Sequence, residues 1–331
     1  MGIPMTNEYK VFEGFIGGVS CDVSKDDYER AKQSREVLAA AFSIEEAFSL
    51  IARSYIDLEK TLMSASLEWS LENDDYASHN DFFDHWREVI NLNLLSLLTA
   101  AGAYSERMER LAKSASIPGF DWEAYDPRRK AGFDSDLSYR VMCALRNFSI
   151  HDKLPIAGFP ISFKNETSSG RLKDGEPWRR RLTCSPHIRT QPLVASEKIR
   201  RATRDEIEEL SAEGIDLKMF TRGFVESLFT LHQVVRDLTE ASLAQALNSL
   251  SEMEDRLSDA KGGQCKFAHI GEKGAGLELA LYIDTARLAR IQGKRQDWKK
   301  LQGLRRRYVS SETTRREGIY LCEVDDLWVQ S

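Results

Sequence analysis

Three residues within a short run, Leu145-Arg146-Asn147-Phe148-Ser149-Ile150-His151-Asp152, have side chains suited to handling a phosphate: Arg146, Asn147 and His151. A guanidinium presents its N–H groups as a fork that matches two phosphate oxygens. An imidazole titrates near neutrality and can take or give a proton at the reacting group. The amide can orient either the imidazole or a substrate. Asn147 and His151 are four residues apart and share one face of a helix, with Arg146 roughly 100° away around the axis. All three converge on one pocket if the helix frays or tightens at Ile150. A structural role stands beside this chemistry, because a histidine at a helix C-terminus also satisfies the last carbonyls and the dipole. Arginine followed at this spacing by histidine recurs by chance in long chains. Arg181 and His187 fit it too, but they flank Pro186 outside a helical frame.

Helical patterning must carry this run. Apolar residues recur at three and four positions through Phe48, Ile51, Tyr55, Leu58 and Leu62, behind Ser43-x-x-Glu46, which has the form of a capping box. A second long helix is expected from Asp81, with Trp86, Ile90, Leu94, Leu97, Leu98 and Ala101 on its buried stripe, fading before Pro118. A third begins near Asp134 or Ser135 and stops shortly after His151, ahead of Pro155. Residues 156–195 turn rich in Pro, Gly, Ser and Thr and read as one or two hairpins inserted between helices. Thr203-x-x-Glu206 caps a short helix that ends at Gly214, and Asp216 opens the longest one, running toward Lys261. The expected fold is mainly α, a helical bundle with an inserted β-hairpin region and a small C-terminal appendage. Residues 1–23 form an arm or short strand, 24–261 the helical domain, and 264–331 a small α/β region, with Gly262-Gly263 as the boundary and a helix near 278–292.

Weaker candidates surround the run. Tyr104, Glu106 and Arg107, late in the second helix, border the same cleft or serve the surface or the core. Trp178 beside Arg179, Arg180 and Arg181 suits stacking a base and following an RNA backbone, and a solvated hairpin fits as well. Lys299, Lys300 and Arg305-Arg306-Arg307 are a second backbone-binding candidate. Gly271-x-x-Gly274-x-Gly276 lacks the lysine of a phosphate-binding loop and reads as an ordinary loop. His79 and His85 lie six apart, on different faces of a helix, so no metal is expected there.

Composition bounds these readings. The chain has 331 residues, 42% of them hydrophobic and 30% charged, as a globular protein requires. No apolar run approaches the roughly 18 residues that span a bilayer, and MGIPMTNEYK has no apolar signal core. Gly2 followed by Thr6 fits a myristoylation pattern, although an ordinary flexible start accounts for it better. Cys21, Cys143, Cys184, Cys265 and Cys322 are odd in number and form no CxxC pair, which argues against a disulfide framework or a cysteine zinc site and suits a reducing cytoplasm. The net charge of −6 is unevenly spread. Residues 164–204 carry net +7 and 287–316 net +9, so the remaining body carries −22.

The segment Arg146-Asn147-Phe148-Ser149-Ile150-His151 resembles the Arg-x4–6-His motif of HEPN domains, including the polar residue after the arginine. The longer run ALRNFSIHDKLPI is similar to a group of prokaryotic HEPN proteins, as is the preceding INLNLLSLLTAAGAYSERM. The resemblance covers roughly residues 43 to 250, with the hairpins as an insertion. It implies a helical bundle that forms a homodimer with two motifs facing one cleft, and an endoribonuclease that uses no metal and no other cofactor. It also implies a toxin or antiphage-defence setting, with a neutralising or activating protein partner and no membrane. Carried over, Arg146 holds the scissile phosphate, His151 acts in proton transfer or charge stabilisation, and Asn147 positions one of them. The products would be a 2′,3′-cyclic phosphate and a 5′-OH, with DNA inert for lack of the 2′-OH. Some HEPN domains keep the motif and act as nucleotide-, RNA- or protein-binding modules, which is the alternative expectation.

Overall fold

A computed structural model describes residues 8–15, 18–71, 76–166, 179–210, 214–265, 267–274, 280–306, 315–316 and 319–320. The fold is mainly α. Two helices of 45 residues, α1 (Lys25–Trp69) and α7 (Leu217–Lys261), form its spine, each about 67 Å long at 1.5 Å per residue. Ser24 caps α1 in a reciprocal box with Asp27. Asp216 caps α7 by accepting from the Lys218 and Met219 N–H groups. Gly262, at φ +70°, closes α7 in the left-handed conformation that glycine adopts without cost.

The spine helices run antiparallel. Along α1, Glu59, Glu45 and Asp27 meet Arg222, Arg236 and Arg256 of α7 in turn. Helix α2 (Tyr76–Ser114) folds back on α1, with Trp86 donating to Glu68, Asn93 to Thr61 and Arg107 to Ser43. Phe48, Ile51 and Leu58 of α1, Ile90, Leu94 and Leu97 of α2, and Val225, Leu228 and Val235 of α7 fill the shared core. The shorter α3 (Trp122–Ser135) and α4 (Leu137–His151) complete the bundle.

The inserted β region is present as an antiparallel pair, β3 (Ile161–Glu166) and β4 (Arg179–Cys184). It is followed by β5 (His187–Ile188), α5 (Thr190–Ala195), α6 (Arg201–Glu208) and β6 (Ile215–Asp216), with β5 pairing to β6. The chain after Gly262 returns to the body. A four-stranded antiparallel sheet has the order β2-β1-β7-β8, built from β1 (Tyr9–Glu13), β2 (Ser20–Val23), β7 (Ala268–Glu272) and β8 (Leu281–Tyr282). Helix α8 (Ala286–Asp297) then packs on α1. Pairing of β1 with β7 thus joins the N-terminal stretch to the chain just after Gly262.

Several expected boundaries move. Ser43 lies inside α1, eighteen residues past its start, and its Oγ accepts from Arg107 instead of capping. Helix α2 begins at Tyr76, five residues before Asp81. Helix α3 had no counterpart in the periodic pattern, because it buries only Tyr125 and Asp126 and carries Pro127 in its first turns. Helix α6 starts at Arg201, so Thr203 is buried within it. The helix expected near 278–292 is strand β8 followed by α8. Among the described residues no helix is long and apolar enough to cross a membrane.

Candidate functional site

The motif rides on α4, and three contacts fix that helix. At its start, the Asp136 Oδ1 accepts from the Ser138 N–H at 2.8 Å, while its other oxygen pairs with Arg305 and Ser227. Ser138 sits so close to α7 at Gly223 that a Cβ there would stand 2.4 Å from Ser138 Oγ. Still in the first turn, Arg140 makes a two-pronged pair with Glu206 at 2.8 and 2.9 Å. Val141, Met142, Leu145 and Phe148 face the core. At its end, Asp152 donates its N–H to Phe148 O at 2.8 Å and accepts from Ser196 Oγ at 2.7 Å.

Helix α4 runs antiparallel to α2, since Arg146 lies against Gly102 while Ile156 exchanges hydrogen bonds with Asn91 further back. The Arg146 guanidinium rests on the α2 backbone. A Cβ at Gly102 would stand 2.3 Å from its Cζ, so this approach exists only because residue 102 has no side chain. Its Nη2 donates to Glu106 Oε1 at 3.0 Å, one turn along α2, and its Nε is buried with no hydrogen-bond partner. The Arg146 side chain is 34% exposed and that of Glu106 71%, so the pair is open to water and weak. One turn before Arg146, burial pushes the Cys143 thiol up to about 12 against the pull of the arginine, so this cysteine is inert.

Asn147 and His151 are both exposed on α4, and their side chains make no hydrogen bond among the described residues. The expected convergence of all three groups does not occur within one chain. The helix stays regular to His151, and five residues advance it by roughly 500°, placing Arg146 and His151 about 140° apart around the axis. Arg146 therefore turns onto α2 while His151 stands in solvent with Asn147.

Of the places open to Tyr104, the cleft rim, the surface and the core, it takes the core. It points into the core, fully buried, because it falls on the side of α2 that meets α7. Its hydroxyl lies 3.0 Å from His232 Nδ1, and His232 Nε2 lies 3.1 Å from Glu45 Oε2. The tautomer that satisfies every group has Tyr104 donating to Nδ1 and Nε2–H donating to Glu45. Phe48 stacks on the imidazole with ring centres 4.1 Å apart. Glu45 also accepts from Arg236 through two bonds of 3.0 and 2.6 Å and from Arg295 of α8 at 3.1 Å. Burial alone would raise the Glu45 carboxyl, but these donors outweigh it and bring it down to about 2. Burial lowers the imidazolium of His232 by more than Glu45 raises it, so the ring is neutral. Sequence reasoning missed this network. Its signal was a charged or polar residue on each apolar stripe: Glu45 on that of α1, and His232 and Arg236, four apart, on that of α7.

The basic blocks fare differently. Trp178 lies outside the described residues, as does Arg307. Arg179, Arg180 and Arg181 belong to β4, in register with Glu166, Asn165 and Lys164 of β3. Much of the second block is committed within the chain. Arg287 and Arg290 pair with Asp284, Arg295 with Glu45 and Glu240, and Arg305 with Asp136 and Glu226. Arg295 and Arg305 fasten the tail to the acidic body, whereas Arg287 and Arg290 pair within the tail. No family model, curated protein or solved structure matches this chain.

Proposed function

We propose that this chain is a HEPN-type endoribonuclease that cleaves RNA as a homodimer without a metal. The observation that carries the reading is the state of Arg146. It is a half-exposed guanidinium seated on Gly102, with a spare Nε and only a water-exposed carboxylate as partner, on the helix that ends with Asn147 and His151. In the proposed reaction the ribose 2′-OH attacks the adjacent phosphorus, the bond from phosphorus to the 5′ oxygen breaks, and that oxygen leaves carrying a proton. Arg146 exchanges Glu106 for the phosphate oxygens. His151 moves the proton, and Asn147, on its face, orients it.

The 140° offset makes the dimer essential to this mechanism, since an arginine from one copy must meet a histidine from the other. The surface around the motif suits a second copy. Ile150 and Leu154 are 60% and 56% exposed beside His151, and Leu92 of α2 is 64% exposed beside Asn91, which holds the chain at Ile156. Ser96 and Thr99 continue that face of α2 with small exposed side chains that permit close approach.

The test is end-group analysis of RNA incubated with the protein in chelator. Wild-type protein should leave 2′,3′-cyclic phosphate and 5′-OH ends, and substrates with a 2′-deoxy sugar at the cleaved position should survive. Arg146→Ala and His151→Ala should each abolish cleavage, while mixing the two variants should restore part of it by rebuilding one composite site. Cleavage undiminished in both single variants would remove the reading. RNA bound but never cut would favour the binding-module alternative, which the Arg146–Glu106 pair also supports because it occupies the guanidinium within one chain.

A further inference from the structure

On the opposite flank of α2 from Arg146, α1, α2 and α8 enclose an open cavity of about 500 Å³, within the size range of small-ligand sites. Three cations line it, Arg53 of α1, Arg107 of α2 and Lys294 of α8, against one carboxylate, Glu46. The body of the chain is strongly acidic, yet none of the three has a carboxylate partner among the described residues. Neutral groups hold two of them in place. Arg107 donates to Ser43 O at 3.1 Å and Ser43 Oγ at 2.7 Å, and Lys294 lies 5.5 Å from the centre of the Phe42 ring. Their positions are set while their charge is left unspent, the reverse of the arginines of the tail. Leu50, largely exposed, forms an apolar lip, Ala100 and Ala103 form a smooth wall, and Tyr104 closes the floor.

A fixed positive excess beside an apolar wall selects an anion that carries an apolar or flat body. We infer that this cavity binds a small organic phosphate, with the phosphate on Arg53, Arg107 and Lys294 and the body against Leu50, Ala100 and Ala103. The concave shape favours a small molecule over a polymer backbone. The site stands independently of RNA cleavage, since none of its residues belongs to the motif. It also needs the tail, because Lys294 comes from α8.

Calorimetric titration of the full chain tests this with phenyl phosphate as probe, phenol as the same body without charge, and inorganic phosphate as the charge without a body. Phenyl phosphate should bind most tightly, inorganic phosphate more weakly, and phenol not measurably. Arg53→Glu and Lys294→Glu change side chains at the cavity's edge, and each should weaken phenyl phosphate binding by about tenfold or more with the unfolding midpoint unchanged. Absence of binding at millimolar phenyl phosphate, equal binding of phenol, or wild-type affinity in both variants would overturn the assignment. An RNA oligonucleotide that displaces phenyl phosphate and loses affinity in the same variants would overturn it too, in favour of a polymer surface.

Discussion

Gly102 decides where Arg146 can lie. A methyl group there would overlap the guanidinium at 2.3–2.6 Å, but the overlapped atoms are the far end of a flexible side chain, which can swing away. Within a helix the change from glycine to alanine gains roughly 0.5–1 kcal/mol. Gly102→Ala should therefore keep or raise the thermal midpoint while displacing Arg146, and RNA cleavage should fall on the order of 10²-fold, the cost of a misplacement of about 1 Å. Cleavage at wild-type rate in a stable Gly102→Ala protein would show that the observed seat of Arg146 is not its working position. Glu106→Gln probes the same contact from its other side. Losing an exposed ion pair should change stability by no more than about 1 kcal/mol, whereas RNA binding at low salt should tighten once the carboxylate no longer competes for the guanidinium. A filter-binding isotherm that weakens instead would assign Glu106 a positive part in holding RNA. The chemistry of this site was legible in the sequence because its residues are local: Arg146, Asn147 and His151 fall within six positions of one helix. The partners were not. Nothing near residue 146 indicates that Gly102 supplies its seat, Glu106 reads only as a border of the cleft and not as the counter-ion, and Tyr104 differs from an exposed aromatic only through its meeting with His232, 128 residues away.

At the scale of elements, periodicity located the helices with broad apolar stripes and failed where the stripe is thin. Helices α2, α4 and α7 show their buried faces in the spacing of their apolar residues, and Asp216 and Gly262 mark the ends of α7 with standard capping chemistry. Helix α3 has almost no stripe to read. The start of α1 was misplaced because the chain carries two similar capping signals, Ser24-x-x-Asp27 and Ser43-x-x-Glu46. Which of them caps depends on whether the intervening turns find a partner surface, and they do, with Ala31, Val37, Leu38 and Ala41 all buried. Close contact between elements makes a further prediction. Gly223 lets α4 start against α7, and a Cβ there meets Ser138 Oγ at 2.4 Å and Cβ at 2.7 Å, atoms held by a short side chain that has little room to yield. Gly223→Ala should cost about 1–3 kcal/mol despite the gain in helix propensity, seen as a lower urea midpoint. A stabilised variant would show that α4 can shift along α7 without loss. The two glycine variants thus carry opposite expected signs, and the rigidity of what each methyl would strike sets the difference.

Over the whole molecule, Glu45 is the point where α1, α7 and α8 meet, held by donors from His232, Arg236 and Arg295. Removing the carboxylate would leave Arg236, itself buried, without its counter-charge, so Glu45→Ala should cost roughly 3–5 kcal/mol. The same junction sets how stability depends on pH. In the unfolded chain His232 takes up a proton near 6.5, whereas in the fold burial holds its affinity lower. As pH falls through 6.5 the unfolded chain therefore binds the additional proton first, and the folded state loses ground. Glu45 acts in the next window. Its carboxyl, at 4.5 when unfolded, sits at about 2 in the fold, so its stabilisation is complete above pH 4.5 and drains away between there and about 2, an amount on the order of 3 kcal/mol. Both groups push the same way in consecutive ranges. Urea midpoints measured from pH 7 to pH 3 should fall in two stages, the first beginning near 6.5. His232→Gln, which can still hydrogen-bond Tyr104 or Glu45 but does not titrate, should be less stable at pH 7 and lose the first stage while keeping the second. Glu45→Gln should show the converse in the acidic range. A His232→Gln protein that retains the full decline between pH 7 and pH 5 would place the proton uptake elsewhere and deny this buried junction its control over acid stability.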